Sequence, residues 1–309
     1  MKISASLWKG HVAMLFANMV WGIMSPVSKT VLMSGLISPI ALSAMRIAGG
    51  ALLFWACSLL LPRTVVKHEK VAPRDMLKIF MASLLIITAN QALYIIGIGF
   101  TSPIDSSVMS TITPIFTMIF AAIFISMPIT WLKASGVALG LGGALMLVLS
   151  DPGGDTHASN QLLGDSLCLI AQVCAALYYV LFSGIITRYS AFTLMKWMFL
   201  FSAVTYVPCA MPWLVEVQFS AIGLDLWLSI AYIIVFATFL GYLLIPISQR
   251  VLKPTVVSMY NYFQPLTAAL LTAILGIGEF GPMKIAATAL IFAGVWFVTQ
   301  SRGRSVKPQ

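Results

Sequence analysis

Polar residues are sparse along this chain and come in short clusters between long apolar runs. The runs have about the ~20 residues that cross a bilayer as a helix. They cover residues 10–33, 39–61, 77–100, 105–127 and 132–150, and after a hydrophilic stretch at 151–161 they resume over 162–187, 192–213, 226–251, 254–277 and 282–299. The pattern predicts an all-α membrane protein with ten transmembrane helices, five on each side of the linker. The first run is longer than the ~7–15 apolar residues of a signal peptide. It also continues through Trp21 and Pro26 to Lys29, so it reads as a retained first span.

Two runs are interrupted from within. The fourth carries Ser106 to Pro114 (SSVMSTITP) and the ninth carries Val257 to Pro265 (VSMYNYFQP). A proline inside a helix removes a backbone donor and clashes with the preceding turn. In lipid, the freed carbonyls need partners inside protein or in a wet cavity. Both broken, polar-lined segments are therefore expected to wall a central cavity, with Pro114 and Pro265 as hinges.

Loop charges set the orientation. Lys2, Lys9, Arg63, Lys67, Lys70, Arg74, Lys133, Arg188, Arg250, Lys253, Arg302, Arg304 and Lys307 fall on one side. Asp151, Asp155, Glu216, Asp225 and Glu279 fall on the other. The positive-inside rule then puts both termini in the cytoplasm, which needs an even number of spans. Lys284 is the exception. Adding 151 to residue numbers explains it: Pro103 meets Pro254, Ser107 meets Ser258, Pro114 meets Pro265, Ala122 meets Ala273, Lys133 meets Lys284 and Gly143 meets Gly294. Five spans per half is odd, so the second half enters the membrane inverted. Residues 1–150 form the first repeat, 151–161 an outer linker, 162–300 the second repeat, and 301–309 a basic cytoplasmic tail. Inverted repeats with broken helices at matching places are a signature of secondary transporters.

Composition agrees. Of 309 residues, 60% are hydrophobic and 9% charged, with mean hydropathy +0.98, against roughly 25% charged in soluble domains. The net charge of +9 is spread over loops and forms no nucleic-acid footprint. Cys57, Cys168, Cys174 and Cys209 lie in apolar runs with no metal spacing and read as small buried hydrophobes. His11, His68 and His157 are scattered, so no metal or other cofactor is implied. A membrane enzyme would need an acid/base dyad, a metal site or an activated nucleophile, for which the chain has too few acids and histidines.

Val20-Trp21-Gly22 and Lys29 in the first span, Arg46 in the second, Pro265 and Gly278-Glu279 in the ninth and Gly294 in the tenth resemble the EamA family of the drug/metabolite transporter superfamily. The resemblance spans the whole chain as two units. It implies two inverted five-helix repeats, with spans one to four and six to nine around a central cavity and spans five and ten outside it. It also implies export of amino acids or other small metabolites across an inner membrane by alternating access. Relatives that carry nucleotide sugars or sugar phosphates supply the alternative, and a non-transporting sensor is a third reading. The chain departs from the family pattern in two places. Ser126-Met-Pro-Ile-Thr130 replaces a first-half Gly-x-Glu, and Tyr178-Tyr179 replaces a Trp-Ala pattern in the sixth span.

Candidate ligands for the small-molecule substrate follow from polarity at depth. A charge as deep as Arg46 costs at least ~2.5–3.5 kcal/mol on insertion scales, so it should face a cavity and hold an anionic group, or clamp carbonyls or Asp105. Lys29 shares a helix stripe with Asn18, Trp21 and Ser25, and either joins the cavity or snorkels outward. Asn90, Gln91 and Tyr94 in the third span, with Thr238 and Tyr242 in the eighth, either line the pathway or bond across helices. In the ninth span, Tyr262 shares a face with Ser258 and Pro265 and is favoured over Tyr260; Thr111 is its first-half partner. Tyr178 and Trp197 add aromatic surface. Glu279 reads as a loop ion pair with Lys284, and Asp105 is the other acid that could carry a proton, so proton coupling stays open. Gly136-x-x-x-Gly140 and Gly142-Gly143 predict a tight helix crossing. They fit a monomer and a homodimer equally.

Overall fold

The computed structural model describes residues 5–62, 69–101, 103–149, 160–274 and 281–301. Helices account for nearly all of them, and no strand occurs among the described residues. The helices are α1 (Ala5–Met33), α2 (Pro39–Leu60), α3 (Pro73–Phe100), α4 (Pro103–Thr111), α5 (Thr113–Phe124), α6 (Trp131–Leu149), α7 (Gln161–Leu181), α8 (Ala191–Val215), α9 (Leu224–Gln249), α10 (Pro254–Met259), α11 (Phe263–Ile274) and α12 (Pro282–Gln300). Helix starts follow local chemistry. Pro39, Pro73, Pro254 and Pro282 occupy first turns, where a missing N–H is harmless. Ser38, Asn160 and Ser190 cap their helices by accepting from the amides of Ala41, Leu163 and Thr193.

Among the described residues, seven helices are long and apolar enough to cross a membrane: Ser6–Met33, Pro39–Leu60, Pro73–Phe100, Gln161–Leu181, Ala191–Val215, Leu224–Gln249 and Pro282–Gln300. Val108–Phe124 and Trp131–Met146 are apolar but shorter. The surface matches a lipid environment, with Trp131 91% and Leu60 82% exposed. All four cysteines are free thiols; Cys168 is buried, but Cys209 is exposed, which corrects the expectation that all four are packed inside.

Both proline interruptions occur, a few residues ahead of the prolines. Helix α4 ends at Thr111 and α5 begins at Thr113; α10 and α11 are joined by a 3-10 turn, Tyr260–Tyr262. Proline clashes with the carbonyl four residues earlier. For Pro114 that carbonyl belongs to Ser110, and it accepts the Thr113 hydroxyl at 2.8 Å. Two other irregularities had no sequence signal. Helix α3 widens to π geometry at Leu84–Ala89, and α9 does so at Ile233–Leu240.

Helix α6 packs along α12, the end of α3 along α7, α2 along α8, and α1 along both α11 and the end of α9. Glycines set the α6–α12 crossing. A Cβ at Gly136 would lie 2.8 Å from the Gly294 carbonyl oxygen, and one at Gly143 would lie 2.6 Å from that of Ala287. These two contacts exchange when 151 is added to or subtracted from each number. Gly140 instead faces the Tyr262 ring.

Hydrogen bonds gather the basic loops at one end of the bundle. Thr130 and Lys253 both reach Ser301, Ser248 reaches Gly10, Arg250 reaches Ile186 and Tyr189, and Tyr189 reaches Asp75. At the other end, Thr101 donates to Asp165 at 2.6 Å and Gln161 donates to Asp105 at 3.2 Å. Lys133 and Lys284 are 3% and 6% exposed, and the Lys133 ammonium donates to the Pro128 carbonyl. Glu279 lies outside the described residues.

Candidate functional site

A cavity lies where α1, α2, α3, α7, α9 and the two broken segments converge. Trp21, Met24, Arg46, Ile86, Asn90, Gln91, Tyr94, Ser110, Gln172, Ala175, Tyr179, Tyr242, Ile245, Asn261 and Gln264 line it. Ten of these fall into five pairs 151 apart: Trp21 with Gln172, Met24 with Ala175, Gln91 with Tyr242, Tyr94 with Ile245, and Ser110 with Asn261. The free space is about 50 Å³, room for one or two waters at ~30 Å³ each. Small-molecule pockets usually hold ~300–1,000 Å³, so the site is closed in this structure.

Arg46 is 1% exposed and its Nε donates to Thr238 Oγ1 at 3.0 Å. Thr238 sits in the π segment of α9 and donates its own hydroxyl to the Ile233 carbonyl. A second carbonyl of the same π segment, that of Ala237, accepts Trp21 Nε1 at 2.8 Å. Trp21 meets Tyr242 edge-on at 5.7 Å, and Tyr242 meets Phe199 at 5.6 Å. The π segment thus fixes the cation and the indole together. Among the described lining residues there is no carboxylate and no second cation.

The amides divide by role. Asn90 donates to the Ala171 carbonyl at 2.8 Å, tying α3 to α7 while lining the cavity. Gln91 is 1% exposed, and both its amide oxygen and nitrogen lack partners; Asn261 is 4% exposed, and its Oδ1 is also unpartnered. Gln264 donates to Asn18 Oδ1 at 3.0 Å, and in the other half Thr113 donates to Gln172 Oε1 at 2.8 Å. Each break is therefore held to the first helix of the opposite half. Gly22 permits the approach of the second break to α1, since a Cβ there would lie 2.7 Å from the Gln264 carbonyl oxygen.

Six sequence candidates line the cavity: Trp21, Arg46, Asn90, Gln91, Tyr94 and Tyr242. Thr238 stands behind them, holding Arg46. Four others sit elsewhere. Lys29 does not line the cavity: its ammonium caps α3, donating to the Ile98 and Thr101 carbonyls at 3.1 and 2.9 Å. Tyr262 turns away and donates to the Val137 carbonyl at 3.1 Å, because the 3-10 turn rotates it off the face that regular helical spacing gives it. Thr111 bonds back to the Val108 carbonyl. Tyr178 is fully buried and stacks on Phe182, while its neighbour Tyr179 lines the site. Sequence reasoning passed over Gln172, whose signal is its position 151 residues after Trp21. Asn261 and Gln264 also line the cavity; they lie inside the broken ninth-span segment, beside the Tyr262 that its helical spacing favours.

Comparisons with known proteins agree with this architecture. An uncharacterized transporter of Archaeoglobus fulgidus is 24% identical over 268 residues, covering 86% of this chain and 90% of that protein. A WAT1-related protein of Arabidopsis thaliana is 28% identical over 278 residues, covering 82% and 68%. The uncharacterized transporter YyaM of Bacillus subtilis is 24% identical over half of each chain. A solved protein crystal structure shares the fold, with a TM-score of 0.73 at 17% identity over 96% of this chain and 97% of that one. The model of the EamA-like transporter family matches residues 8–149 and again 162–300. This chain is therefore a multi-pass membrane protein that belongs to the EamA-like transporter family, within the drug/metabolite transporter superfamily.

Proposed function

We propose that the protein exports amino acids or related amphipathic carboxylates across an inner membrane by alternating access. The observation that carries this reading is Arg46: a guanidinium buried at the cavity, with no carboxylate among the lining residues to balance it. A deep charge of that kind is expensive unless something meets it, and a substrate carboxylate is the planar partner that a guanidinium fits best. Gln91 Oε1 and Asn261 Oδ1 are free acceptors for a substrate ammonium. Trp21, Tyr94, Tyr179 and Tyr242 offer the apolar side chain an aromatic wall. A single cation suits one carboxylate better than the phosphates of a nucleotide sugar.

In this reading the chain crosses the membrane ten times as two inverted repeats, residues 1–150 and 162–300, with both termini and the basic end in the cytoplasm. The five lining pairs and the exchanged α6–α12 contacts support a two-fold relation through the cavity. Pro114 and Pro265 act as the hinges that open one face and then the other. Replacing Pro265 by Ala restores a backbone donor and a regular helix there, and should slow turnover about tenfold, the ~1.4 kcal/mol scale of one changed backbone interaction. Turnover equal to the parent in reconstituted vesicles would remove Pro265 from the hinge.

The test of function compares metabolites in medium and cytoplasm of cells overproducing the parent or Arg46→Gln. An amino acid that accumulates outside with the parent alone is the expected result. Equal accumulation with both, at equal membrane abundance, would take Arg46 out of the binding site.

A further inference from the structure

A second pocket, of about 310 Å³, opens at the basic end of the bundle, lined by Lys78, Leu181, Phe182, Gly184, Ile185 and Arg188. We propose that it binds the headgroup of an anionic phospholipid from the leaflet at that end.

The charge balance calls for an anion. Lys78 and Arg188 have side chains 58% exposed and share one carboxylate, Asp75, at 3.9 and 3.4 Å. Asp75 also accepts the Tyr189 hydroxyl at 2.9 Å. Glu69, which accepts the Ser190 amide, is a second acid nearby, and Arg250, which donates to the Ile186 and Tyr189 carbonyls, is a third cation; three cations against two engaged carboxylates leave this end of the pocket net positive. The Arg188 contacts to Asp75 run through Nη1, and a guanidinium has further donors on its other nitrogens. Basic pockets between helices at the cytoplasmic end of membrane proteins hold anionic headgroups.

Position and walls favour a lipid over a soluble anion. Lys78 stands in the second turn of α3, and Arg188 follows the single turn Ser183–Ile186 after α7, so both lie at span ends, level with headgroups. Leu181, 45% exposed, Phe182 and Ile185 supply apolar wall for the first methylenes of an acyl chain. The two cations come from opposite halves of the chain, so a bound phosphate bridges them. This site is independent of what the central cavity carries.

The test is thermal unfolding of the purified full-length protein in neutral detergent. Phosphatidylglycerol, phosphatidylcholine or inorganic phosphate is added at equal concentration. The expected result is a rise in Tm of several degrees with phosphatidylglycerol alone. Lys78→Gln combined with Arg188→Gln should lose most of that rise, while Lys70→Gln, an exposed basic residue outside the pocket, should keep it. Gly184→Leu provides the second variant. Gly184 lines the pocket and a Cβ there meets nothing within 4 Å, so a leucine fits without a clash, takes up room at the pocket and leaves both cations in place, and it too should lose the rise. It decides the matter if the charge variant fails to fold. Equal shifts with phosphatidylcholine, a full shift retained in Gly184→Leu, or a matching shift from inorganic phosphate would each overturn the lipid assignment.

Discussion

Gly294→Val is expected to destabilise the protein by ~3 kcal/mol, the upper part of the range for forced overpacking. The neighbours decide the size. A Cβ at Gly294 would lie 2.5 Å from the Gly136 carbonyl oxygen and 2.7 Å from the Gly140 amide nitrogen. Both are backbone atoms, so no rotamer change relieves the clash and α6 must move away from α12 as a body. Gly142 on the same helix is the control. A Cβ there meets nothing within 4 Å, and Gly142→Ala should be neutral or gain up to ~1 kcal/mol of helix propensity. Unfolding both variants in one detergent gives the comparison. If Gly294→Val were as stable as Gly142→Ala, the close crossing of these helices would be wrong.

Gln91→Leu is expected to move stability and transport in opposite directions. An amide buried without partners costs ~1–3 kcal/mol by protein mutational data, and leucine of similar size removes that cost. The melting temperature should therefore rise. Transport should fall tenfold to hundredfold, because a hydrogen bond to a charged substrate group is worth ~1.5–3 kcal/mol and ~1.4 kcal/mol is a factor of ten. A residue that merely glued helices would lose both properties together. Gln91 therefore serves the substrate if a more stable protein transports less, and serves the fold if Gln91→Leu melts earlier than the parent.

The helical architecture was largely legible because the bilayer allows few solutions. Apolar run length, loop charge and the prolines at 114 and 265 gave helix limits that fall within a few residues of those observed. The offset of 151 rests on proline, lysine and glycine, whose roles depend on position more than on hydrophobicity, and five pairs of cavity-lining residues share it. Side-chain direction was less so. Regular helical spacing put Tyr262 on the cavity face, but a 3-10 turn advances ~120° per residue against ~100° in an α-helix, so Tyr262 points at Val137 while Asn261 and Gln264 reach the site. Lys29 looked like a ligand because its stripe was right; its long side chain instead found two open carbonyls at the end of α3. The π segments left no mark in the sequence, since Leu84–Ala89 and Ile233–Leu240 are as apolar as any stretch around them.

Those π segments carry a consequence for how such a chain can change. A π turn is an α-helix with one residue added, and the helix beyond it is rotated by about 100° relative to an uninterrupted one. In α3 the residues just beyond are Asn90, Gln91 and Tyr94; in α9 they are Tyr242 and Ile245. Deleting one residue from either segment would leave a continuous helix of nearly the same length, yet it would sweep that whole wall of the cavity aside. A single codon lost or gained there, away from Ile86, re-faces the site without replacing any residue that lines it, so a relative of different selectivity can differ from this chain by a gap rather than by a substitution.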